Sequence, residues 1–96
     1  MPEHPERLPR QIVEEQRFIH DWGILFSTKQ RSDETLDGVK RVLETLAEHG
    51  MAVQGLDVEI YGWPVRVGIN TYRVFYRFTE EQIFLLGVGP AITGIY

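Results

Sequence analysis

The sequence predicts an α+β fold in which two N-terminal helices pack on one face of an antiparallel meander of about four strands. Three observations carry that expectation. In Thr71-Tyr-Arg-Val-Phe-Tyr-Arg-Phe-Thr79, residues Tyr72, Val74, Tyr76 and Phe78 share one face of an extended strand, and Arg73, Phe75 and Arg77 share the other. The short acidic turn Glu80-Glu81-Gln82 then leads into the apolar run Ile83 to Val88, so the two runs read as a β-hairpin. Upstream, Leu36, Val39, Leu43 and Leu46 recur at helical spacing, a stripe that needs a surface to cover it.

Met1 to Leu8, with Pro2, Pro5 and then Pro9, is expected to be a flexible arm at the start of a single 1–96 domain, because prolines at that density oppose helix and sheet. From Arg10 the pattern turns helical: Ile12, Ile19, Trp22 and Phe26 recur at seven, three and four, with Glu14, Glu15 and Arg17 opposite. Gly23 is one place for this helix to end, which would leave Ile24 to Thr28 as a short strand; the helical period runs on to Phe26 instead. The second helix is expected from Ser32 as N-cap to His49, with Gly50 as the residue after its end. Gly38 inside it suggests close packing against a neighbour, since glycine there costs about 1 kcal/mol relative to alanine.

Beyond Gly50 the chain is strand-like. Leu56, Val58 and Ile60 alternate with Asp57, Glu59 and Tyr61; Gly62-Trp63-Pro64 breaks the run; Val65, Val67 and Ile69 alternate with Arg66 and Gly68; and Asn70 supplies a turn residue. The expected core is Leu36, Val39, Leu43, Leu46, Val58, Val67, Val74, Tyr76 and Leu85.

Composition narrows the function. At 96 residues there is room for one modest core. An apolar fraction of 43 % with 25 % charged residues belongs to a soluble globular chain. No apolar run approaches the roughly 20 residues of a membrane span, and the first residues lack the pattern of a signal peptide, so a cytoplasmic protein with no membrane association is expected. The absence of cysteine excludes disulfides and thiolate chemistry. The formal charge of −4 argues against non-specific nucleic-acid binding and suits a protein partner. No motif implies a cofactor, and His4, His20 and His49 lack metal spacing.

Helices followed by a meander reading Val65-Arg-Val-Gly68, Tyr72-Arg-Val-Phe-Tyr76 and Ile83 to Gly89 resemble the RelE/ParE superfamily of type II toxin–antitoxin toxins. The resemblance is strongest over the last third of the chain. It implies an opening β-strand, which is here missing or displaced to Ile24–Thr28, and an antitoxin as partner. RelE-type members cleave messenger RNA in the ribosomal A site, using lysine and arginine side chains and often a late tyrosine to stabilise charge at the scissile phosphate. By that resemblance Arg73 is the motif arginine and Tyr96 stands for the late tyrosine. The family's Gly-His-Arg reads Gly89-Pro90-Ala91 here, so its arginine is absent and weak or no ribonuclease activity is implied.

Arg66, Arg73 and Arg77 alternate out of phase with the apolar positions and form the candidate binding patch, for phosphate or an acidic partner segment. The competing reading pairs them across strands with Asp57 and Glu59, worth roughly 0–1 kcal/mol each. Trp63 beside Pro64 is either an interaction anchor or an aromatic folded over the sheet edge. His20-Asp21 resembles a base and its orienter, but helix neighbours point apart and no nucleophile accompanies them. Two function classes follow: a RelE/ParE-like toxin-family protein of a toxin–antitoxin system, or a small acidic non-catalytic module (immunity protein, inhibitor or adaptor) on a similar scaffold.

Overall fold

The structure, a computed structural model, describes residues 10–53 and 59–90. The N-terminal arm, Leu56, Asp57, Val58, Ala91 and Tyr96 lie outside the described residues. In chain order the elements are β1 (Gln11–Glu14), α1 (Gln16–Gly23), α2 (Lys29–Leu46) with a following 3-10 turn (Ala47–His49), β2 (Met51–Ala52), β3 (Tyr61–Val67), β4 (Asn70–Phe78) and β5 (Gln82–Pro90). The strands form one five-stranded sheet in the order β1-β5-β4-β3-β2. Neighbours from β2 to β5 are antiparallel, while β1 runs parallel to β5 with Ile12 beside Ile83. The expected α+β layering is present, with one strand more than the meander.

That extra strand corrects the reading of the N-terminal segment. Residues 11–14 are extended, not the first turn of a helix, and they are the opening strand that was expected at Ile24–Thr28 if anywhere. The β-branched pair Ile12-Val13 favours the pleat, and the Glu15 amide donates to the Leu85 carbonyl at 3.0 Å. Helix α1 therefore starts at Gln16, and its buried positions are Phe18 and Trp22, one turn apart, while Ile19 is exposed. The Leu25 amide closes the helix on the Trp22 carbonyl. Residues 24–28 are a connection, neither strand nor helix, and Phe26 folds back to 4.9 Å from the Trp22 ring.

Helix α2 begins four residues earlier than expected. Thr28, not Ser32, is the N-cap, and its hydroxyl accepts from the Arg31 amide at 3.3 Å. Ser32 lies in the helix, its carbonyl accepting from the Trp22 indole at 3.4 Å. Val39, Leu43 and Ala47 are buried; Leu36 is half-buried and Leu46 exposed. Gly38 is also exposed, and nothing would touch a Cβ built there, so it packs against no neighbour. Gly38→Ala should accordingly stabilise the protein by about 0.5–1 kcal/mol, readable as a rise in Tm.

The packed layer beneath the helices comes from Val65, Val74, Tyr76, Ile83 and Leu85. Of the expected core, Val39, Leu43, Val74, Tyr76 and Leu85 are buried and Val67 is half-buried. The triplet Gly62-Trp63-Pro64 does not break a strand but lies inside β3. β2 pairs only as far as Gly62, so among the described residues no strand flanks Pro64 on its outer side, and a missing N–H costs no ladder bond there. β3 and β4 meet in a two-residue turn, Gly68-Ile69, for which Gly68 supplies a φ of +64°.

Gly50 has an unexpected role. Its φ of −69° needs no glycine, but a Cβ would collide with the Tyr76 hydroxyl. That hydroxyl donates to the Ala47 carbonyl at 2.6 Å, tying the sheet centre to the end of the helical layer. Burial pushes the Tyr76 pKa up to about 12 from an ordinary 10.0, partly offset by the nearby Gly50 amide. Below pH 10 the phenol is protonated whether folded or not. Above it the unfolded chain releases this proton first, so stability falls as pH rises from about 10 to 12, by up to about 1.4 kcal/mol per unit. Urea titrations across this range should show that slope in the wild type and a shallower one in Tyr76→Phe.

Candidate functional site

The sheet has two unlike faces. Registry places Trp63, Val65, Val74 and Tyr76 toward the helices, and Gly62, Pro64, Arg66, Arg73, Phe75 and Arg77 on the other side. On β5 the phase changes at an irregularity: Tyr76 faces Leu85 but Phe75 faces Gly87, which leaves Leu86 as the extra residue of a β-bulge. Ile83 and Leu85 therefore share the helix-side face with Val88, while Phe84, Gly87 and Gly89 fall on the arginine side.

This second face is built from small residues and long side chains. A Cβ at Gly62 would collide with the Arg73 side chain, so the glycine lets the Arg73 stem lie across β3. At Gly89 a Cβ would come within 3.1 Å of the Phe75 ring. Phe75 is only 3 % exposed although it points away from the helices. The Arg77 guanidinium sits 4.2 Å from the Phe84 ring centroid, a cation–π contact. Arg66 turns toward the hairpin tip, its Nε donating to the Gly68 carbonyl at 3.4 Å.

The three arginines thus share a face but do not converge. Arg66 pairs across from Thr71, so along the strand direction the rows of Arg66 and Arg73 are about 7 Å apart and those of Arg73 and Arg77 about 14 Å. They form a stripe, suited to an extended partner rather than to one small anion. Among the described residues none of them reaches a carboxylate: the ion pairs are Arg10–Glu48, Arg17–Asp21 and Lys40–Glu14. Glu59 accepts from the Tyr61 hydroxyl at 3.5 Å instead. Trp63 is on the opposite, helix-side face, half-buried against the core.

Two features of the site escaped the sequence reading. Phe75, which alternation places with Arg73 and Arg77, is nonetheless buried on that face, and Phe84 falls there as well because it pairs with Arg77 ahead of the bulge. Asp21 resembled an orienter of His20 but is structural: its carboxylate accepts from the Val88 amide at 3.3 Å and meets Arg17 at 3.7 Å. Among the described residues no three His, Asp or Glu side chains gather as metal ligands, and no helix is long and apolar enough to cross a membrane.

Comparison with solved structures fits this architecture. A double arginine-to-alanine mutant of the E. coli toxin RelE in the free state superposes with a TM-score of 0.63 at 20 % identity, covering 90 % of this chain and 87 % of that one. This chain has the RelE fold. The RelE-like architecture also matches the intact E. coli RelBE toxin–antitoxin complex, with a TM-score of 0.59 at 22 % identity over 85 % of this chain and 96 % of that one. No family model matches the sequence, and no curated protein matches it.

Proposed function

We propose that this protein is a RelE-like toxin-family component of a type II toxin–antitoxin system, held by an antitoxin, with weak or no ribonuclease activity of its own. The observation that carries the proposal is Arg73: it stands in the Tyr-Arg-Val-x-Tyr strand of a RelE-like fold, on the face away from the helices, with no carboxylate partner among the described residues. The RelBE complex pairs a protein of this fold with an antitoxin, which supports a protein partner here. Gly89-Pro90-Ala91 in place of Gly-His-Arg supports weak chemistry, because a scissile phosphate needs cations where negative charge develops. A RelE chain with two arginines replaced by alanine adopts the matched fold, so the loss of arginines is compatible with the scaffold.

Induced expression in a bacterial host is expected to slow growth without A-site-specific cleavage of messenger RNA, and co-expression of an antitoxin from a neighbouring reading frame should relieve it. Arg73→Glu with Arg77→Glu should abolish antitoxin binding while moving Tm by no more than about 8 °C, about 1 kcal/mol for a domain this size. Site-specific messenger cleavage overturns the inactive reading. No growth effect, with no antitoxin encoded nearby, favours the acidic protein-binding module that the net charge of −4 also suits. Normal antitoxin binding by the double variant makes the arginines a solvated face and moves the site elsewhere, Trp63 and Tyr96 being the remaining candidates.

A further inference from the structure

At the end of the sheet a groove of about 380 Å³ runs between the α1–α2 connection and the tip of the β3–β4 hairpin. Its apolar wall is formed by Leu25, Phe26, Val67 and Ile69, and among the described residues its only charged lining residues are Arg31 and Arg66. That volume lies within the range of specific ligand sites. Ile69, at the hairpin tip, is 89 % exposed, and the adjoining Ile24 is 71 % exposed. Neither is needed by the core.

We propose that this groove docks an acidic peptide segment of a partner protein, with carboxylates held by Arg31 and Arg66 and an intervening aliphatic side chain laid against Leu25 and Ile69. Charge complementarity selects this occupant. The chain carries 14 acidic against 10 basic residues, yet among the described residues no carboxylate lines the groove. Neither arginine has an ion-pair partner among the described residues; with the Arg66 Nε on the Gly68 carbonyl, its terminal nitrogens and the Arg31 guanidinium are left for charge-assisted hydrogen bonds. A single-stranded nucleic acid suits the groove less well. Its one aromatic ring, Phe26, is already packed on Trp22 at 4.9 Å and offers no free stacking platform. A net charge of −4 also repels a polyanion more than a peptide with two or three carboxylates.

The inference stands on the groove and not on the toxin–antitoxin reading. Arg66 belongs to both the groove and the stripe, but Arg31 lies on α2, off the sheet face that carries Arg73 and Arg77, so variants of Arg31 test the groove alone. The test uses a fluorescein-labelled peptide of alternating glutamate and leucine, its glutamine-for-glutamate counterpart and a labelled oligouridylate, each titrated against the full chain. The acidic peptide should bind saturably and shift amide resonances at residues 25–27, 31 and 66–70. Arg31→Glu should weaken it about tenfold, as should the glutamine counterpart in the wild type, whereas Arg41→Glu, exposed and ten residues further along α2, should leave binding unchanged. Arg31 is exposed, so its variants should fold, with Arg31→Gln as the milder second variant. The proposal is overturned by the absence of saturation up to about 1 mM, by equal binding of the glutamine peptide, or by shifts confined to other residues. Tighter groove binding of the oligouridylate overturns it in favour of nucleic acid.

Discussion

Leu43→Ala is expected to lower stability by about 2–5 kcal/mol, a large share of the roughly 5–15 kcal/mol that holds a small domain folded. Leu43 is 0 % exposed and belongs to the cluster in which Val39 and Ala47 of the helical layer meet Val74, Tyr76 and Leu85 of the sheet. Truncation removes the transfer energy of the lost methyl groups and leaves a cavity between two rigid layers, which can close only partly. Leu46 is the internal control. It is equally apolar and lies on the same helix, but it is 42 % exposed, so Leu46→Ala should cost about 1 kcal/mol or less. Thermal melts of the pair should separate by about 4 °C or more. Equal melting temperatures would mean that α2 is not docked through Leu43.

The contrast between those leucines shows where sequence periodicity carries information and where it stops. Leu36, Val39, Leu43 and Leu46 fit one stripe equally well, but the helix turns only part of that stripe to the sheet, and Leu46 falls on its flank. β4 was legible because Tyr72, Val74, Tyr76 and Phe78 alternate with Arg73 and Arg77, with Phe75 the one apolar residue in the arginine phase. β1 was not, because four residues are too few to establish a period of two, and Ile12 happens to sit seven before Ile19. The pairing that makes β1 a strand comes from β5, some seventy positions later, which no local pattern can report. β5 itself reads as one apolar run until the bulge at Leu86 reverses its phase.

The candidate site was legible in its charges and illegible in its geometry. Arg66, Arg73 and Arg77 are out of phase with the apolar residues, which places them on the outer face whatever the register. Their spacing into a stripe depends on registry with Thr71, Pro64 and Phe84, which sequence does not contain. Arg31 gave no signal at all. It is an ordinary solvated helix residue until the hairpin tip is brought beside it to form a groove.

Arg10 is the deepest departure from a sequence reading, and it carries the second large effect. The helical pattern is expected to start from Arg10, with no role for its side chain, yet the residue is 4 % exposed. Its Nε donates to the Thr79 carbonyl at 2.8 Å, its Nη2 pairs with Glu48, and its guanidinium lies 5.1 Å from the Phe78 ring centroid. Nη1 is buried with no hydrogen-bond partner among the described residues. One side chain thus joins the start of β1, the turn after α2 and the β4–β5 connection. Removing Glu48 leaves that guanidinium buried and uncompensated, so Glu48→Ala should cost about 3 kcal/mol. That is the low end of the range for broken buried pairs, because the Glu48 carboxylate is itself partly hydrated. Arg10→Ala should cost a similar amount through the lost packing on Phe78 and the orphaned Thr79 carbonyl. The pair need not be stabilising as a whole, since desolvating an arginine offsets much of its attraction to the carboxylate. Arg10→Met with Glu48→Met should therefore recover most of the loss, and the coupling energy from a double-mutant cycle in urea should approach the single-mutant cost. Additive losses in that cycle would show that Arg10 acts through Thr79 and Phe78 alone.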